Sequence, residues 1–215
     1  MVYGDLMVRL RTQQIRLTVP FSMGKFVVAL QDMPERLPDL YDQGTPFTAL
    51  QLAALSTDYD HSLPQIETCL TLKVAPAQID LFGAYYTYDV VDKTTEDSED
   101  VTSTLYGLRV IVPIGPLYVK GQYYKMTNPG PYGDLSTSLM AYRNPRWNYD
   151  AAGDLHTDDA DYSGYGALVG FKVNDMVTVE AGYFYAKTER YLAEEDQIGT
   201  YYLVAAVTPI KGVTI

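Results

Sequence analysis

The sequence is poor in groups that carry covalent chemistry. Its 215 residues include two histidines, His61 and His156, and one cysteine, Cys69. Nucleophilic catalysis needs a hydroxyl or thiol, a base and an orienting acid brought together on rigid elements. Both histidines fall in segments rich in turn-formers, and no strand-like segment carries a Ser/His/Asp set. His156 beside Asp154 and Asp158 reads as surface. Cys69 has no second cysteine for a disulfide or a zinc ribbon. Asp159-Ala160-Asp161-Tyr162-Ser163-Gly164 opens like a calcium loop, but its twelfth position is Gly170, where a bidentate carboxylate is required. Gly164-Tyr165-Gly166 lies in a strand pattern and opens no helix, so it is no phosphate loop. No catalytic residue, metal or cofactor is therefore assigned.

What remains is charge carried at every second position of apolar segments. Arg16, Lys25, Lys73, Arg109, Lys120 and Lys172 are the bases, and Glu67, Asp80 and Glu180 the acids, with Gln122 among them. That set is mildly basic, although the chain as a whole has Lys+Arg 16 against Asp+Glu 27, a net charge of -11 and a pI near 4.5. The acidic balance excludes a nucleic-acid partner, which calls for a basic stripe. A second group of acids sits in polar connections: Glu96, Asp97, Glu99 and Asp100; Asp154, Asp158, Asp159 and Asp161; Glu194, Glu195 and Asp196. These read as a solvated, self-repelling surface, or alternatively as sites for divalent cations.

The elements that position the first group are strands. In Val177–Lys187, Val177, Val179, Ala181, Tyr183 and Tyr185 share one face and Thr178, Glu180 and Gly182 the other. The preceding segment sets Tyr165, Ala167, Val169, Phe171 and Val173 against Gly166, Gly170 and Lys172, and Asn174-Asp175-Met176 joins the two as a tight turn. Ile66, Thr68, Leu70, Leu72 and Val74 oppose Glu67, Cys69, Thr71 and Lys73; Leu117, Val119, Gly121 and Tyr123 oppose Tyr118, Lys120, Gln122 and Tyr124. Further strands are predicted at 15–19, 26–30, 79–86, 106–112 and 201–207. The connections alternate strictly: short near 20–24, 75–77, 113–116, 174–176 and 209–212, long near 33–63, 91–101, 127–161 and 189–199. All short turns thus fall at one end of the sheet. The pattern predicts an all-β, antiparallel up-and-down transmembrane barrel of nine to ten meander strands with short periplasmic turns and long extracellular loops. A Greek-key sandwich has no reason to sort its loops this way. The absence of ~20 consecutive apolar residues excludes a membrane helix but not a barrel, in which alternate residues face lipid. Segment 45–58 is ambiguous. Its helix formers and Pro46 favour an inserted loop element, because a lone strand there would break the alternation.

Hairpins such as Gly170–Tyr183 resemble the strand–turn–strand units of Gram-negative outer-membrane porins, and Arg9–Leu17 resembles their Arg/Gln-rich early strand. The resemblance covers most of the chain. It implies a bacterial outer-membrane location, lipid and lipopolysaccharide as surroundings, and a water-filled channel for passive diffusion of small hydrophilic solutes or ions. Its charged strand positions become pore lining, and a homotrimer is a candidate assembly. Val213-Thr214-Ile215 departs from the terminal aromatic usual in porins, and nine strands is an odd number. Residues 1–215 are therefore expected to be one barrel domain belonging to a larger barrel. A non-conducting adhesive barrel and a soluble β-sandwich are the alternatives left open.

Overall fold

A computed structural model of the chain describes residues 14–31, 55–58, 64–92, 96–129, 146–149, 155–190 and 195–207. The chain runs through β1 (Gln14–Phe21), β2 (Gly24–Gln31), β3 (Leu55–Asp58), β4 (Gln65–Val74), β5 (Ala77–Asp92), β6 (Ser98–Ile114), β7 (Leu117–Thr127), β8 (Arg146–Tyr149), β9 (Leu155–Asp158), β10 (Ala160–Lys172), β11 (Val177–Arg190) and β12 (Asp196–Val207). Nine of these form one antiparallel meander, β1-β2-β4-β5-β6-β7-β10-β11-β12. No helix occurs among the described residues. β1 and β12 end the sheet and do not pair with each other, so the barrel is open along one side.

The short turns need few residues because their chemistry suits them. Ser22-Met23, Ala75-Pro76 and Gly115-Pro116 each close a hairpin, and Gly115 takes φ +62°, a left-handed angle that glycine tolerates. Asn174 Oδ1 accepts from the backbone N–H of Met176 and of Val177, both at 2.8 Å, which pins the β10–β11 turn. Adjacent turns are also tied, Lys73 N–H donating to Met23 O at 2.6 Å and Lys172 N–H to Pro116 O at 2.9 Å.

Alternation then sorts the side chains. One face presents Ile15, Leu17, Leu81, Leu108, Val119, Val169 and Leu203 outward, with Ile15 77% and Tyr201 82% exposed. Leaving this much apolar surface in water costs about 25 cal/mol per Å², so the face calls for an apolar surrounding. Outward tyrosines Tyr85, Tyr106, Tyr123, Tyr165, Tyr183, Tyr185 and Tyr201 each stand six to eight residues from the turn-side end of their strands. They form a girdle on the loop side of the apolar band, as an amphipathic ring does at a membrane interface.

Three expectations change. Leu55–Asp58 is a strand, not a loop helix; it pairs with the loop end of β5 (Leu55 opposite Asp92), so the alternation survives. Residues 45–54 lie outside the described residues, as do Arg9–Gln13 and the turn near 209–212. The connection expected at 127–161 contains a hairpin of its own, β8 with β9. The connections expected at 91–101 and 189–199 shrink to 93–97 and 191–195, because β5, β6 and β11 run on for 16, 17 and 14 residues. A bilayer needs ~9–11 residues per strand, so these strands continue past it toward the loops. Glu99, Asp100, Asp158, Asp161 and Asp196 accordingly sit on strands, not in loops.

Candidate functional site

The register brings the charged inner residues into rows. Lys25 pairs with Thr71, Thr71 with Asp80, Asp80 with Arg109, and Arg109 with Gln122, one continuous row across β2, β4, β5, β6 and β7. Lys73 and Gln78 stand opposite one another one row nearer the turns. On the loop side, Arg16, Ala29, Glu67, Ala84, Leu105 and Met126 make a parallel row. All ten residues singled out from the sequence fall on this one face. Seven of them (Arg16, Lys25, Glu67, Lys73, Asp80, Arg109 and Gln122) line a cavity of about 810 Å³; Lys120, Lys172 and Glu180 lie on the same face outside it.

Two acids are neutralised in place. Asp80, 1% exposed, accepts from Arg109 Nε at 2.9 Å, with Arg109 Nη2 also at 2.9 Å. Gln78 Nε2 donates to both carboxylate oxygens at 3.1 Å, and Thr71 adds a further hydrogen bond. A buried carboxylate is tolerable when its oxygens are filled in this way. Glu180, 8% exposed, accepts from the Tyr118 hydroxyl and lies 3.7 Å from Lys120 Nζ. Lys120 Nζ in turn stands 5.0 Å from the centre of the Tyr118 ring. Tyr118 can lie flat because the residue opposite it is Gly170, where a methyl group would fall inside the ring.

Charge is distributed unevenly from end to end. Lys25, Lys73 and Lys172 each stand within one residue of the turn-side end of their strands, and none has an ion-pair partner among the described residues. Glu99 and Asp196, on the same face, lie at the loop end. Between them, the loop half of the face is a packed layer that alternation alone does not separate from the wet wall. Leu105, Tyr124, Met126, Tyr162 and Ala186 are buried together, with Phe82, Ala84, Phe184 and Ile198 against them. The Tyr124 and Tyr162 rings stack at 5.6 Å and 11°, their hydroxyls 3.2 Å apart. The available signal was position: inner-face apolar residues cluster in the loop halves of β5, β6, β7 and β11.

At the edge of this layer Asn128 forms a clamp. It takes φ +49° and is fully buried. Its Nδ2 donates to Thr102 O at 3.0 Å and Asp159 Oδ1 at 2.7 Å, and its Oδ1 accepts from Ala160 N–H at 2.9 Å. Ser103 Oγ donates to its carbonyl at 2.9 Å. β6, β7 and β10 are thus joined where the long connection leaves and returns.

His156 is on β9, with Nδ1 3.8 Å from Glu99 Oε1 and Nε2 3.9 Å from Asp158 Oδ1, and is largely exposed. His61 lies outside the described residues. Cys69 Sγ is 4.0 Å from Thr71 Oγ1. Among the described residues no group of three or more His, Cys, Asp and Glu is arranged to hold a metal.

An apolar outer face, a polar inner face and a meander joined by tight turns define an outer-membrane β-barrel fold, here open along one side. Solved structures share it. The chain is similar to the outer membrane channel DcaP of Acinetobacter baumannii, with a TM-score of 0.65 at 13% identity, covering 94% of this chain and 54% of that one. It is also similar to OmpT, an outer membrane protein of Vibrio cholerae, in a form lacking loop L8 (TM-score 0.57, 13% identity, 97% and 56% covered) and in an in-vitro folded form (0.53, 11%, 92% and 49%). The chain therefore spans about half the length of these structures. No family model and no curated protein matches it.

Proposed function

We propose that this chain is part of the wall of a porin in the bacterial outer membrane, a water-filled passage through which small hydrophilic solutes diffuse passively. The observation that carries this reading is the cavity of about 810 Å³ against a charged inner face, on the opposite side of the sheet from an apolar outer face. Charged and polar residues along the inner face suit a water-filled interior. The likeness to the Acinetobacter baumannii outer membrane channel supports the same reading. Arg16, Lys25, Glu67, Lys73, Asp80, Arg109, Lys120, Gln122, Lys172 and Glu180 are the proposed lining. Arg109 and Lys120 are offset by Asp80 and Glu180, whereas Arg16, Lys25, Lys73 and Lys172 face the passage against Glu67. The lining therefore favours small anions weakly. The test is a planar bilayer containing the full-length protein under a salt gradient. Stepwise conductance with a reversal potential of anion-selective sign is expected. A barrel that inserts without conducting would favour an anchoring or adhesive role, and cation selectivity would remove the proposed preference.

A further inference from the structure

Three aromatic rings lie against the inner wall over β10 and β11, one in each of three successive rows. Phe184 of β11 reaches across to Gly166 of β10, Tyr202 of β12 to Gly182 of β11, and Tyr118 of β7 to Gly170 of β10. A Cβ at any of these glycines would fall within 2.8 Å of that ring, so each ring rests where its neighbour has no side chain. Successive rows on one face are two residues apart, about 7 Å along a strand, and a strand tilt of about 40° makes that about 5 Å along the barrel axis. All three side chains are half-buried, one side on the wall and the rest open to the interior. At its loop end the track runs into the packed layer, Phe184 standing 6.1 Å from Tyr124 between ring centres, with planes 17° apart.

Each ring has a polar companion in its own row. Gln122 and Thr200 share the first row with Phe184, Lys120 the second with Tyr202, and Glu180 the third with Tyr118. Lys120 and Glu180 offset each other at 3.7 Å, so the track is close to neutral, unlike the part of the same face that carries Lys25 and Lys73. A donor in Lys120, an acceptor in Glu180 and both in Gln122 suit hydroxyl groups, which donate and accept at once. The π face of each ring is its negative side and attracts the weakly positive C–H groups on the flat side of a pyranose. An apolar surface with a few placed polar groups is the general form of a small-molecule site.

Taking the chain as part of a channel wall, we propose that this track binds a neutral oligosaccharide. Successive sugar rings rest on Phe184, Tyr202 and Tyr118, and their hydroxyls bond to Gln122, Lys120 and Glu180. The rise per row is about the length of one sugar in a chain, so a saccharide advances by one ring at a time. Several adjacent weak contacts let a solute enter and leave, where one strong contact would hold it.

The experiment measures single-channel current through the full-length protein in a planar bilayer. Maltotriose, benzoate and a polyethylene glycol of similar mass are added in turn. Maltotriose is expected to interrupt the current saturably, whereas the glycol only lowers it in proportion to concentration. Tyr202→Ala should raise the half-blocking concentration about tenfold, the scale of one lost aromatic contact. Tyr202→Phe, which keeps the π face, should keep the block. Tyr201→Ala removes an outward ring that is 82% exposed and should leave the block as in wild type. If the Tyr202→Ala chain does not insert, Tyr202→Leu keeps the bulk without the flat face and should weaken the block in the same sense. Maltotriose acting only as the glycol does, or a block indifferent to loss of the Tyr202 ring, would overturn the proposal. A benzoate block as strong as that of maltotriose and equally dependent on Tyr202 would also overturn it, in favour of an aromatic solute. Calorimetric titration of the same protein with maltotriose in neutral detergent separates this proposal from the channel reading. Conduction without saccharide binding defeats the track alone; binding without conduction supports the track and defeats the passage; neither defeats both.

Discussion

Gly170 shows how a single atom sets the inner wall. In a strand, glycine to alanine normally helps by a few tenths to about 1 kcal/mol, because glycine loses the most backbone freedom on folding. At Gly170 the added methyl would occupy the Tyr118 ring, so packing opposes that gain. Overpacking costs about 1–3 kcal/mol and should win. Gly170→Ala is therefore expected to destabilise the barrel in urea titration and to pull Tyr118 away from Glu180. Adding Tyr118→Ala should restore most of the loss, a coupling that a double-mutant cycle measures directly. The sequence places Gly170 on the inner face by parity alone. Its pairing with Tyr118 was not legible, since it depends on the register between β7 and β10 across a connection of more than thirty residues.

At the scale of elements, the Asn128 clamp joins three strands through one residue. Asn128→Gly keeps the left-handed backbone and loses three side-chain hydrogen bonds, which should cost about 2–3 kcal/mol with the buried groups left unpaired. Asn128→Ala loses the same bonds but keeps a Cβ at positive φ, without asparagine's tolerance of that angle, which makes it about 1 kcal/mol worse than glycine. The expected order of stability is wild type, then glycine, then alanine, with faster amide exchange at Ala160 in both variants. The reverse order would show that backbone conformation contributes nothing there. Elements themselves were legible where one face meets an apolar phase: Val177–Tyr185 alternates cleanly, and so does Ile66–Val74. Legibility ended where charge interrupts the apolar alternation on the outer face, although Tyr86, Tyr88, Ala186 and Thr188 are buried on the inner one. The upper parts of β5 and β11, around Asp89 and Glu189, carry charge without period, and β3, β8 and β9 have four residues each, too few to establish one.

For the whole molecule, the sorting of turns from loops was the most informative feature of the sequence, because it fixes which end of the sheet faces which way before any contact is known. What it left undecided was how charge is graded along that axis. Depth depends on each residue's distance from its turn, and side-chain type says nothing about depth. Lys25, Lys73 and Lys172 gather at the turn end, while Glu99 and Asp196 stand at the loop end. A conduit with fixed positive charge at one mouth and negative charge at the other behaves as a rectifier. Mobile cations entering the acidic mouth and anions entering the basic one accumulate within it under one polarity and are swept out under the other. Current through the full-length protein is expected to be larger when the loop side is held positive. The asymmetry should shrink in Lys25→Gln/Lys73→Gln/Lys172→Gln, and also in 1 M salt, where screening reaches only about 3 Å. Equal currents in both directions at low salt would mean that the lysine collar does not face the stream. If the asymmetry is found, the protein admits anions and cations from opposite compartments on unequal terms, a diode made only from where three lysines sit relative to their turns.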